Sequence, residues 1–168
     1  MRGAHFVKAN RVVAADYPEL EAYLRSELEY EFSCGPVNLS EVRSLVSSPR
    51  LRSFYLQAFT HPSLIEAGDT FLDKHSMLAD NPQQTFALSH EEWCSIEGKV
   101  VEVSEFGPRD VSVMQVQIWA FDPRPLEGFA MALAVALSYT PAELMQESRI
   151  SLALGEIFRK WGYFTDEF

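Results

Sequence analysis

Residues 125–139 (PLEGFAMALAVALSY) constrain this chain more than any other stretch. Their only charged side chain is Glu127. A helix that is apolar all round has no face to offer to water, so other elements must enclose it. Whatever fold forms is built around that segment. Thr140-Pro141-Ala142-Glu143 follows it directly and has the form of a capped helix start: threonine cap, proline at the first helical position, glutamate at the third. That helix is expected to run to about Trp161. Leu154, Ile157, Phe158 and Trp161 would form one face, and Gly162 the stop.

The first third also reads as helical. Residues 17–32 (YPELEAYLRSELEYEF) place Leu20, Tyr23, Leu24, Leu28 and Phe32 at helical spacing, with Asp16 as cap and Pro18 in the first turn. A second helix is expected from Asn38, which makes a capping box with Glu41 and buries Leu39, Val42, Leu45 and Val46. A third is expected from about Pro49 to Phe59, with Leu51, Phe54, Tyr55, Ala58 and Phe59 inward and Pro62 as its stop.

Residues 66–95 look irregular, except for a short helix after Ser89, which has Glu92 three residues on. Residues 99–120 alternate apolar and polar and are rich in β-branched residues, with Gly107-Pro108 in the middle. That is a β-hairpin pattern, with Val101, Val103, Val111, Val113, Val116 and Ile118 as strand residues. The expected fold class is therefore mainly α, carrying an inserted β-hairpin. A basic N-terminal tail (1–15) precedes a single domain over 16–168, with the insertion at about 70–122. Two cysteines, Cys34 and Cys94, are too few for a disulfide scaffold or a four-cysteine zinc site.

Charge narrows the function. Twenty-four acids against 14 Lys+Arg give a net charge of −10, which opposes broad coating of a polyphosphate. The charge is uneven: residues 1–15 hold Arg2, Lys8 and Arg11 and no acid, as in part of an organellar transit peptide. No apolar run approaches the ~18–20 residues of a membrane helix, so no membrane association is expected.

Several segments together carry a family resemblance. Residues 56–63 read LQAFTHPS, and a helix containing Leu28, Tyr30 and Phe32 precedes them. Further on come Arg124-Pro125-Leu126-Glu127-Gly128-Phe129-Ala130-Met131, then Glu143-Leu144, Arg149, Leu154-Gly155-Glu156-Ile157 and Trp161-Gly162. In this order the pieces resemble the ribonuclease III family. LQAFTHPS is similar to its Gln-Ala-Leu/Phe-Thr-His-x-Ser motif. Residues 124–133 stand where its signature Glu-Arg-Leu-Glu-Phe-Leu-Gly-Asp-Ala-Val-Leu helix would be. The resemblance implies a ribonuclease III-like helical domain.

That family cleaves double-stranded RNA with metal ions held by carboxylates. Glu127 occupies the first position of the signature pair, but Met131 stands where the family has Asp, and a thioether is a poor ligand for a hard cation. Arg124 replaces the earlier glutamate, and no downstream acidic pair is found. The resemblance therefore implies an inactive relative with no catalytic, cofactor-binding or metal residues and no cofactor. His61 reads as a tie between a helix end and the core, Cys94 as a buried small apolar residue beside Trp93, and His75 and His90 lack ligand spacing.

Inactive relatives of this family serve in the mitochondrial large ribosomal subunit and in mitochondrial RNA-processing assemblies. The implied function is thus a non-catalytic structural subunit of a mitochondrial ribonucleoprotein, most simply the large ribosomal subunit. Its partners would be protein subunits, another ribonuclease III-like protein among them. Contact with ribosomal or other RNA would be limited, through residues such as Arg50 and Arg52, and no small-molecule substrate is expected. The other reading is a small acidic protein-binding inhibitor of the immunity type, which would meet a basic target with its acidic surface and hairpin edge.

Overall fold

Val113–Trp119 forms a strand with a neighbour on each side, and the rest of the chain is arranged about it. A computed structural model describes residues 48–160 except 79 and 80. The basic tail, the helices expected over 17–32 and from Asn38, and Trp161-Gly162 lie outside the described residues. The elements in chain order are β1 Arg50–Gln57, β2 Ile65–Glu66, α1 Gly68–His75, β3 Thr85–Ser89, α2 His90–Ile96, β4 Val113–Trp119, α3 Gly128–Ser138, α4 Pro141–Gln146 and α5 Ser148–Lys160. The sheet order is β1-β4-β3-β2. Strand β4 runs antiparallel to β1 and parallel to β3, and β2 runs antiparallel to β3.

The fold is therefore α/β, with five helices and a four-stranded mixed sheet among the described residues, and not mainly α. Two expectations fail together. The third helix, expected over 49–59, is strand β1: Phe54 pairs with Val116 and Leu56 with Met114. Leu51 and Tyr55, expected inward, are exposed, whereas Leu56 is buried. A short apolar run fits a strand or a helix turn equally well, and the partner strand decides.

The inserted hairpin is likewise absent. Its second half is β4, at the centre of the sheet. Its first half lies along the outer edge of β1, where Gln57 N donates to Val101 O at 2.8 Å and Val103 N to Tyr55 O at 2.8 Å.

Alternation along β4 divides the interior in two. Met114, Val116 and Ile118 face one side, where they join Leu56, Leu88, and Trp93 and Ile96 of α2. Phe54 stacks on Trp93 there, with ring centroids 4.7 Å apart. Trp119 faces the other side with Ala87, beneath α1, α3 and α5. Helix α3 is enclosed as its composition requires: Met131, Leu133, Val135 and Leu137 are all buried. The alanines between them, at 130, 132, 134 and 136, let neighbouring elements approach closely. Phe59 packs in the first core and α3 in the second, so the Thr60-His61-Pro62 corner and α3 are on opposite faces of the sheet. The resemblance to ribonuclease III had implied that this corner packs against α3.

Local signals place several boundaries. Ser89 caps α2 by accepting from Glu92 N at 3.1 Å. Helix α1, in a region expected to be irregular, starts at Gly68 with φ +51°, and a Cβ there would come within 2.8 Å of Thr85 Cγ2. Only glycine suits both the left-handed backbone and this approach to β3. Thr140 and Glu143 form the capping box of α4: Thr140 Oγ1 accepts from Glu143 N at 3.1 Å, and Glu143 Oε2 from Thr140 N at 2.6 Å. The single helix expected to follow is broken at Glu147 into α4 and α5.

Thr140→Ala is expected to cost about 1 kcal/mol, within a usual ~0.5–2 for lost caps. The midpoint of urea denaturation reads this directly. Arg50 Nη2 also donates to Glu143 at 3.1 Å, and an unchanged midpoint would show that this contact alone holds the start of α4.

Candidate functional site

Two surfaces stand out, one on each face of the sheet. The first is built on the polar half of the helix-covered face. Gln117 sits mid-strand in β4 and is only 2% exposed, an unusual place for an amide. Trp119 Nε1 donates to Gln117 Oε1 at 3.0 Å. Indole only donates, so this bond fixes the amide oxygen and leaves the NH2 group on the opposite side. Gln115 and Gln117 of β4, Thr85 of β3 and Tyr55 of β1 line a cavity of about 270 Å³. Asn81, Gln83 and Gln146 also line it, so five side-chain amides meet there.

The charged residues of this cavity are already paired. Arg50 Nη2 donates to both Glu143 oxygens at 3.1 Å. Arg149 donates to Asp69 Oδ2 at 3.0 Å and to Glu147 Oε2 at 2.8 Å. Tyr139 OH donates to Asp69 Oδ1 at 2.7 Å. Burial, then the Asp69 charge, pushes the Tyr139 hydroxyl far above its ordinary value, so it stays protonated. Burial opposes the charge on Arg149, but Asp69 and Glu147 outweigh it and raise its pKa. Gln83 Nε2 is buried and has no hydrogen-bond partner among the described residues.

The second surface lies at the far end of β1. Phe59, His61, Ile96, Val100 and Val101 border a mainly apolar cleft of about 230 Å³, with Lys99 also in its lining. Val101 and Val111 are 57% and 68% exposed. Backbone bonds bring them to the same strand end: Gln57 N donates to Val101 O and Ala58 N to Ser112 O, both at 2.8 Å. Carboxylates dominate the connecting chain. Residues 91–110 carry Glu91, Glu92, Glu97, Glu102, Glu105 and Asp110 against Lys99 and Arg109. Of these, Glu91, Glu97, Glu102 and Glu105 are exposed. Hydrogen bonds from the Ser112 hydroxyl and amide hold Asp110 below the usual carboxylate range.

The residues singled out from sequence are scattered. Glu127 is exposed just ahead of α3 and Met131 is buried in the core, so they do not share a helix face. His61 Nδ1 accepts from Ser63 N at 3.1 Å, closing a turn after β1 rather than a helix end. Cys94 is exposed, not buried, and lies 3.6 Å from His90 Nε2 across one helical turn. Arg50 is committed to Glu143, and Arg52 lies over the Phe54 ring at 5.4 Å. No group of three or more His, Cys, Asp or Glu is placed to hold a metal among the described residues, and none of their helices is long and apolar enough to cross a membrane.

Sequence reading missed the glutamines. The signal was present in VMQVQIW, where polar positions alternate with apolar ones, but alternation alone makes them solvent-facing. Compared with known protein families, characterised proteins and solved structures, the chain matches none.

Proposed function

We propose that this chain is a non-catalytic recognition domain that docks onto a basic protein, using the end of β1 as its contact face. One observation carries the reading: Val101 and Val111 stand exposed at one strand end, on a segment where the exposed Glu91, Glu97, Glu102 and Glu105 outnumber Lys99 and Arg109. Exposed apolar side chains on a segment of net negative charge form a patch suited to burial against a partner. The apolar centre supplies contact area. The carboxylates steer a basic surface towards it and repel acidic ones, nucleic acid included.

The structural-subunit reading rests on the LQAFTHPS resemblance and stands second here: the helical scaffold expected with it is a mixed sheet, and Arg50, one of its expected phosphate contacts, is paired with Glu143. The mitochondrial address belonged to that reading.

The test is capture of partners by the full chain, followed by calorimetry with the purified partner. The double variant Glu102→Lys/Glu105→Lys is expected to bind about tenfold more weakly, or 1.4 kcal/mol. The wild-type interaction should also weaken as salt screens the carboxylates. Unchanged affinity in the double variant would refute the proposed face. Recovery of ribosomal proteins as a set would restore the ribonucleoprotein reading instead.

A further inference from the structure

We propose that the glutamine-floored cavity is a separate binding site, and that its ligand is a neutral, polyhydroxylated molecule of monosaccharide size. It lies on the sheet face opposite the α2 core and shares no lining residue with the docking surface, so it stands or falls by itself.

The cavity floor is made for hydrogen bonding. A buried amide is tolerated only when its polar atoms find partners. Trp119 satisfies the oxygen of Gln117, while its Nε2 has no hydrogen bond among the described residues. Gln83 Nε2 is buried in the wall without a partner among the described residues. Gln117 therefore brings one unused amide donor to the cavity, and a ligand that draws the Gln83 amide out of the wall gains a second. Gly68 keeps the wall open: a Cβ there would lie 3.4 Å from Gln117 Nε2.

The charge pattern selects a neutral ligand. Arg50 and Arg149 are paired with Glu143, and with Asp69 and Glu147, so three carboxylates already offset their charge and an anion gains little there; the remaining capacity is mainly amide and phenol. Amides donate and accept, and so does every hydroxyl, so a polyol can use both halves of each glutamine. A nucleobase needs apolar surface over its faces, and here the lining is polar apart from Ile150 and the rings of Tyr55 and Tyr139. Tyr55 packs its ring on Phe106 at 4.6 Å and, at 38% exposure, keeps part of its surface in the cavity lining for the C–H side of a sugar. The volume of about 270 Å³ falls just below the ~300–1,000 Å³ typical of drug-sized ligands, which fits a single sugar ring.

The experiment is calorimetry and saturation-transfer NMR on the full chain with glucose, galactose and myo-inositol, against glucuronate and adenosine. At least one neutral polyol is expected to bind with Kd at or below about 1 mM. Glucuronate and adenosine are expected to bind at least about tenfold more weakly. Gln117→Leu should abolish binding, but it also strips Trp119 of its acceptor. Gln83→Leu is the cleaner variant, because its side chain makes no hydrogen bond among the described residues. It should unfold at the wild-type temperature or higher while losing at least about tenfold in affinity. Absence of binding by all three polyols would overturn the proposal. So would equal binding of glucuronate or adenosine, or wild-type affinity in Gln83→Leu.

Discussion

Trp119→Ala is expected to lower the free energy of unfolding by about 3–5 kcal/mol. Trp119 is fully buried at the end of β4, paired across the sheet with Arg50 on one side and Ser89 on the other. Its ring meets Phe121 edge-on at 5.8 Å and lies in the core that contains α3 and α5. Truncation opens a cavity where strands hold the backbone on both sides, so little collapse can refill it. It also removes the donor to Gln117 Oε1. Trp119→Phe is the intermediate case, because it keeps one six-membered ring while losing the N–H and the rest of the indole. That variant should cost about 1–3 kcal/mol, from the acceptor left unpaired and a smaller cavity. Urea denaturation of both variants measures the difference. Equal losses would mean the hydrogen bond outweighs the packing, contrary to the assignment of Trp119 as a core residue.

The second large effect is expected in α3. Leu133→Ala should destabilise the fold by about 2–5 kcal/mol. The side chain is 2% exposed on a helix with elements on every side, and alanines 132 and 134 beside it cannot expand into the space. A typical domain has only ~5–15 kcal/mol of stability, so the fraction unfolded at 37 °C should rise steeply. Leu152→Ala, on the outward side of α5 at 70% exposure, is the matched control and should change stability by less than ~0.5 kcal/mol. Comparable losses at both positions would mean that α3 is not enclosed as described.

How much of this was legible in the sequence differs by element. Helix α3 was visible because its composition leaves no polar face, and α2 and α4 because Ser89 and Thr140 each precede a glutamate at the capping-box distance. These are local signals, and local geometry satisfies them whatever the fold. Strand β1 was not legible: Arg50–Gln57 carries Leu51, Phe54, Tyr55 and Leu56, which fit one helical turn as well as a pleat. Its identity comes from β4, some sixty residues away, and no local pattern encodes that pairing. The parallel pairing of β3 with β4 is of the same kind: Thr85–Ser89 falls in a region that reads as irregular, and β4 reads as half of a hairpin with the segment just before it. Helix α1 escaped notice because Gly68–His75 buries only Gly68, Thr70, Phe71 and Leu72.

The candidate sites follow the same division. The carboxylates of residues 91–105 could be counted from the sequence, but their place beside two exposed valines depends on how the segment runs along β1. The cavity was further from reach, since its amides come from β4, from α4 and from the segment between α1 and β3. The resemblance to ribonuclease III rested on LQAFTHPS, which spans a strand end and a turn here. That motif reads as a helix end only when a helix is assumed before it.

The proposed contact face for a basic protein is the acidic strand end that carries Val101 and Val111. Zero-length carbodiimide crosslinking of the full chain to its captured partner, mapped by mass spectrometry, tests it most directly. The expected crosslinks join Glu97, Glu102 and Glu105 to lysines of a partner with net positive charge. Crosslinks confined to Glu127, Glu143 or Glu147, or a partner with net negative charge, would contradict it.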